Sequence, residues 1–347
     1  MNDLGEVLTT ARRASGMTQG ELADRVDITQ AALSRYENGL REPDDTTLQA
    51  LARELGVTIK FIEHAGRARG AVAVDAHMRR RGTAPATIWK RLEARLNMYR
   101  MHASLMTEEV TIHADRRIPT FDPIDTRPED AARLVRMQWG MPVGPVRNLI
   151  GWIEAAGCLV IEESFGSPRV DGMSQWVNAQ PIMFVNRDAP TDRKRLTLAH
   201  ELGHLVLHSN EVVEDVEDQA NAFAAEFLMP IDVIRPRLRN LRRDALPDLK
   251  REWGVSMAAL VERGYRAGLM TSSQRTGFYK YLGVMGWRTR EPVSDELAPE
   301  VPRLAGAIAS SLAERGLSAT EIADIAGFAS PEDNRLLDLA PRGLRIV

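Results

Sequence analysis

Apolar positions along this chain follow a helical period for most of its length. Leu22, Val26, Leu33, Leu48, Leu51 and Leu55 fall on inward faces of short helices, and a second stripe runs through Ile88, Leu92, Leu96, Tyr99 and Leu105. Three short runs read instead as strands, over 159–163, 174–177 and 182–186, with helices over 131–139 and 146–156 ahead of them. A long apolar helical run, 196–207, follows the strands. Farther on, 247–260 reads as two helices meeting at Gly254, with Ser256 capping the second. In 301–347, Leu304, Ile308, Leu312, Leu317, Ile322, Ile325 and Leu336 supply the inward faces of two or three more helices, read as a cap or interaction segment.

Punctuation sharpens the N-terminal part. Thr18 caps a helix, and Glu21 three residues later completes a capping box. The chain turns at 27–29, and a second short helix over 30–38 stops at Gly39, a residue free to take the left-handed conformation. The stretch 65–85 is rich in Gly, Ala and Arg, as a linker is, and the helix expected over 86–106 is long enough to connect or dimerise. A loop bearing Pro and Asp covers 118–128.

Chemistry enters in the run His200-Glu201-Leu202-Gly203-His204. Two His at i and i+4 share one helical face, about 6 Å apart, and can hold a metal ion between them. Imidazole nitrogen suits zinc, and the Glu beside the first His can take a proton from water held at the ion. Buried in an apolar helix, two His and a Glu are costly unless paired or metal-bound. An open zinc site needs a third protein ligand. His208 lies about 12 Å along the axis from His200, too far for the same ion in an unbroken helix. The segment 211–218 supplies five acids, of which Glu217 is the expected ligand, because Asn221 one turn on can hydrogen-bond a ligand His. The remaining acids, Glu211, Glu214, Asp215 and Asp218, suit a solvated loop and helix start. A carboxylate beside an open position favours peptide hydrolysis, whereas a structural site closes with a fourth ligand, often Cys. Cys158, the lone cysteine, sits beside the first strand and reads as a buried thiol.

The run Leu-Thr-Leu-Ala-His-Glu-Leu-Gly-His, followed by Glu217, Ala220-Asn221, Phe223-Ala224-Ala225 and Leu228-Met229-Pro230, resembles the ImmA/IrrE family of zinc metallopeptidases. Upstream segments 144–149, 170–174 and 181–186 share that likeness, which covers roughly residues 128–290. The resemblance implies zinc ligands at His200, His204 and Glu217 and a general base at Glu201. It also implies a protein substrate, a repressor of the Xre type, cleaved or released in a stress or mobile-element response. The N-terminal segment resembles Xre/Cro-type helix-turn-helix repressors, through Ser34-Arg35-Tyr36-Glu37-Asn38-Gly39 and Glu42-Pro43. In that docking scheme Gln30 and Arg35 read base edges, Ala31 touches a thymine methyl, and Gln19 and Arg41 hold phosphates of a double-stranded operator bound by a homodimer.

Charge qualifies this picture. The chain carries 45 Lys and Arg against 48 Asp and Glu, a net of −3, so no general attraction to nucleic acid or membrane follows. Residues 1–70 hold nine basic and eleven acidic side chains. By contrast, Arg67, Arg69, Arg79, Arg80, Arg81, Lys90, Arg91, Arg95 and Arg100 face only Asp75 and Glu93, which reads as a solvated linker and helix face or as a phosphate-gripping arm. No apolar run of membrane length and no leading signal segment is present, so a soluble, cytoplasmic protein is expected.

The expected fold is α+β and mostly helical. An all-α helix-turn-helix domain (1–64) leads through a basic linker and connecting helix (65–127) to a zincin-like metallopeptidase core with a small antiparallel sheet (128–230). A helical extension (231–290) and a C-terminal helical segment (291–347) follow. The expected function is a DNA-binding transcriptional regulator carrying a zinc-dependent endopeptidase. The alternative is a non-hydrolytic regulator whose metal site is structural or sensory.

Overall fold

The computed structural model describes residues 3–68, 86–167, 170–177, 179–208, 214–288 and 290–337. Arg69, Arg79, Arg80 and Arg81 of the expected basic linker, and Glu211, lie outside the described residues.

Five helices form the N-terminal unit: α1 (Asp3–Ser15), α2 (Gln19–Arg25), α3 (Gln30–Glu37), α4 (Asp45–Glu54) and α5 (Ile59–Ala68). The starts of α2, α3 and α4 have a local cause. Thr18 and Glu21 make a reciprocal capping box, while Thr29 and Asp44 accept from backbone N–H groups at the starts of α3 and α4. Between α2 and α3, Asp27 takes a left-handed φ of 55°. Leu8, Leu22, Leu33, Leu51 and Phe61 are fully buried together. A nearly buried ion pair from Arg12 to Glu37, at 2.5 and 2.8 Å, ties α1 to α3.

The long α6 (Ala86–Glu109) leads to α7 (Pro128–Gln138), α8 (Leu149–Ala155) and a three-stranded sheet of β1 (Leu159–Glu163), β2 (Gly172–Val177) and β3 (Gln180–Asn186). Next come α9 (Thr191–Leu207), α10 (Val216–Leu228), α11 (Ile231–Leu238), α12 (Leu246–Trp253), α13 (Met257–Arg266), α14 (Ser272–Val284), α15 (Leu304–Glu314) and α16 (Ala319–Ile325). Between α12 and α13, Gly254 has φ +64° and Ser256 caps the second helix.

The sheet corrects one expectation: it is mixed, not antiparallel. β3 lies at its centre, antiparallel to β2 (Ser174 opposite Met183) and parallel to β1 (Leu159 opposite Ile182). The reason is the segment between β1 and β2, which carries the chain to the far edge and leaves the central slot for β3. Asn186 holds it there, donating from Nδ2 to the Ser167 and Val170 carbonyls at 3.0 and 3.1 Å. Both faces of the sheet are covered, so Ile182, Met183, Phe184 and Val185 are all fully buried and β3 has no polar alternation.

On one face, Val160, Met183 and Val185 join α7 to α13 in the largest core cluster. On the other, Leu159, Ile161, Ile182 and Phe184 meet α6, α15 and α16. α6 is therefore more than a connector, because Met98, Met101 and Leu105 belong at the same time to the N-terminal core. The C-terminal segment completes this junction. Thr58 N donates to Gly327 O and Ala329 N to Gly56 O, each at 3.0 Å. The His102 ring of α6 stacks between Phe61 of α5 and Phe328, with centroids 4.1 and 3.8 Å away.

Candidate metal centre and helix-turn-helix surface

Two glycines let the partners of α9 come close. A Cβ on Gly172 would lie 2.5 Å from Thr197 Cγ2 and 2.9 Å from the Phe184 carbonyl oxygen, and one on Gly203 would lie 3.2 Å from Ala220 Cα and Phe223 Cβ. β2 and α10 thus pack directly against α9, which is buried from Thr197 to Leu207. α10 carries Glu217 and Asn221 to the His pair.

In this geometry His200 Nε2 and His204 Nε2 are 3.0 Å apart. Glu217 Oε2 lies 3.5 Å from the first and Oε1 3.4 Å from the second. These three side chains are the one group of metal-ligating type found among the described residues. The outer edges of the rings are engaged as well. His200 Nδ1 is 3.1 Å from Asn221 Oδ1. His204 Nδ1 is 3.0 Å from His208 Nδ1, and His208 Nε2 is 3.0 Å from Gln219 Oε1.

These outer bonds fix the protons. An amide oxygen can only accept, so His200 donates from Nδ1, and His208 donates from Nε2 to Gln219. The neutral His208 ring then accepts at Nδ1 from His204. Both ligand rings are left with a lone pair at Nε2. Burial pushes the His204 imidazole down to about 4, which keeps it neutral at ordinary pH. Glu217 presents its carboxylate to both of these ring edges. The rings could donate to that carboxylate only by giving up the outer bonds just described. Two lone pairs and an ionised carboxylate at 3.0–3.5 Å are the set a divalent cation completes. A tetrahedral zinc with bonds of about 2.0–2.1 Å places its ligand atoms about 3.4 Å apart, so the donor type and the spacing both fit.

Glu201 is 1% exposed. Ser174 Oγ, on β2, lies 2.8 Å from its Oε2 and 3.0 Å from its backbone carbonyl oxygen. Sequence reasoning assigned no role to Ser174, Gln219 or His208, whose placement depends on β2 and α10 reaching α9. His208 had one local signal, its position four residues after His204.

On the N-terminal unit, Gln30, Ala31 and Arg35 are exposed on α3, and Arg41 is exposed beyond it. Ala31 and Arg35 lie one turn apart. Gln19 differs, being half-buried and donating from Nε2 to Glu37 Oε2 at 2.8 Å, so its side chain braces α2 against α3. The Arg12–Glu37–Gln19 cluster was not anticipated, since its members are far apart in sequence.

Residues 153–264 match the peptidase-family model described as IrrE N-terminal-like domain. Residues 8–62 match the helix-turn-helix model. The chain joins a helix-turn-helix domain to an IrrE N-terminal-like domain. Two proteins of Bacillus subtilis (strain 168) resemble the first part. The SPbeta prophage-derived uncharacterized HTH-type transcriptional regulator YonR is 40% identical over 58 residues, 17% of this chain and 54% of that protein. The HTH-type transcriptional regulator ImmR is 37% identical over 59 residues, 17% of this chain and 46% of that protein. The likeness thus spans about half the length of each curated relative. No solved structure matches this chain significantly. No helix among the described residues is long and apolar enough to cross a membrane.

Proposed function

We propose that this protein is a DNA-binding transcriptional regulator whose IrrE-like domain is a zinc-dependent endopeptidase acting on a repressor or another regulatory protein. The observation that carries the reading is the convergence of two imidazole lone pairs and the Glu217 carboxylate beside Glu201. His200, His204 and Glu217 hold the ion in this reading. Bound there, zinc supplies a Lewis acid that polarises the scissile carbonyl and makes water a nucleophile near neutral pH. Glu201 takes the proton of the attacking water and returns it to the leaving amine. Ser174 keeps the Glu201 carboxylate in one orientation. No described strand pairs with the outer edge of β2, and in this reading an extended substrate segment pairs along it. Gln30, Ala31, Arg35 and Arg41 face the operator, with Gln19 behind them, and a dimer matches a palindromic site.

Metal analysis and incubation with repressors encoded near the gene test this reading together. Wild type should hold one zinc and cut; Glu201→Gln should hold zinc and not cut. Full zinc in a His200→Ala/His204→Ala variant would remove the site from consideration. The depth of Glu201 and its bond to Ser174 favour a second reading, a regulator whose metal is structural or sensory. Zinc binding without cleavage by wild type, across those substrates, would select it.

A further inference from the structure

Where the N-terminal unit meets the body, α4, α6 and the segment after α16 line a cleft of about 430 Å³. Small-molecule sites have this size. Its charge is predominantly positive. Arg53 near the end of α4, Arg91 and Arg95 one turn apart on α6, and Arg335 from the C-terminal segment all line it. Two carboxylates line it as well, Glu54, which pairs with Arg25 at 3.5 Å, and Asp333, which accepts from Ser330 Oγ at 2.8 Å and keeps its charge. Arg95 is held by Glu163. Arg53, Arg91 and Arg335 form no ion pair with a described residue. Arg91 is nonetheless placed, because its guanidinium lies across Gly16, where a Cβ would come within 2.7 Å of Cζ. Leu55, Met98 and Phe328 form an apolar wall beside the cations.

Four guanidinium groups from three separate segments outnumber the two carboxylates that line the cleft, and the excess of like charge is repulsive. A phosphate relieves that repulsion and accepts paired bonds from the planar fork of arginine. We propose that this cleft binds a phosphorylated organic small molecule, its phosphate on Arg53, Arg91 and Arg335 and its apolar part against Leu55, Met98 and Phe328. Arg53, Arg91 and Arg335 are themselves exposed, and the apolar wall beside them is what favours an organic small ligand over the phosphate backbone of duplex DNA. Because the walls come from the helix-turn-helix domain, α6 and the C-terminal segment, the ligand fastens the N-terminal unit to the body. Ligand that binds only the folded state also raises the melting temperature. This proposal stands apart from the peptidase reading.

The test titrates the full-length protein with phenyl phosphate and with inorganic phosphate by calorimetry, and records the melting temperature in parallel. Phenyl phosphate should bind once per chain, roughly tenfold more tightly than inorganic phosphate, and raise the melting temperature saturably. Arg53→Ser/Arg91→Ser/Arg335→Ser should lose at least about tenfold in phenyl phosphate affinity. The single variant Arg91→Ser should lose part of it, which guards against a triple variant that fails to fold. Equal affinity for the two probes would overturn the organic half of the proposal. Absence of saturable binding by wild type, or undiminished binding by a folded triple variant, would overturn it whole. So would a triple variant that loses affinity for duplex DNA while wild type takes up no phenyl phosphate.

Discussion

The two faces of one small sheet do different work. Towards α9, Val160, Met183 and Val185 support a helix buried over most of its length, and the candidate ligands come from two helices adjacent in sequence. Towards α6, Leu159, Ile161, Ile182 and Phe184 support parts that are remote in sequence, α6, α15 and α16, and through them the N-terminal unit. The first face concentrates chemistry in a short stretch of chain. The second fixes where the DNA-facing domain sits. Both depend on the same four buried residues of β3, alternately pointed, so a change in the sheet is transmitted to either side.

The largest expected effect isolates the α9 face. His200→Ala/His204→Ala should abolish stoichiometric zinc by metal analysis, and Asn221→Ala, which frees the His200 ring, should weaken zinc binding about 10–100-fold in a chelator competition. If the two faces are coupled, operator affinity of the double variant will differ from that of the zinc-loaded protein. Identical affinities would make the sheet a passive divider.

Neighbouring residues of β3 separate the faces next. Phe184→Ala should cost about 3–5 kcal/mol and Met183→Ala about 2–5 kcal/mol, read from urea unfolding, since both leave cavities in closed cores. Met183→Ala should weaken zinc more than Phe184→Ala does, and the opposite order would contradict the division drawn here.

Acid should probe the α6 face through His102. Burial pushes its imidazole down to about 3, against the loss of which its bond to the Ala326 carbonyl works only in part. The unfolded chain takes up that proton near pH 6.5 while the folded chain does not, so the unfolded state binds more protons in the interval. Stability therefore falls as pH drops from about 6.5 towards 3. The Phe61 and Phe328 rings stack on either side of it, and Tyr99 and Arg95 border the adjoining cleft. In His102→Leu the acid slope should flatten, although the Ala326 carbonyl loses its partner; an unchanged slope would place the titration elsewhere.

The smallest effect lies farthest from the sheet. Arg35→Ala should cost about 1–3 kcal/mol in operator binding and relax preference at one base pair per half-site. Gln19→Ala should act through loss of its brace on Glu37, lowering affinity without changing base preference.

Local sequence determined much of this protein. The capping box at Thr18, the left-handed Gly39 and Gly254, the three strand segments and the His200/His204 spacing each depend on neighbours within one or two turns, where backbone geometry alone sets which side chains meet. Tertiary structure decided the rest. The parallel pairing of β1 with β3 depends on a connection fixed by Asn186. Ser174 reaches Glu201 because Gly172 admits β2 to α9, and His208 bonds to His204 and Gln219 because Gly203 admits α10. The Phe61–His102–Phe328 stack and the arginine cleft unite segments separated by hundreds of residues. Such contacts leave no periodic trace, since hydrophobic patterning records that a face is buried and not what covers it.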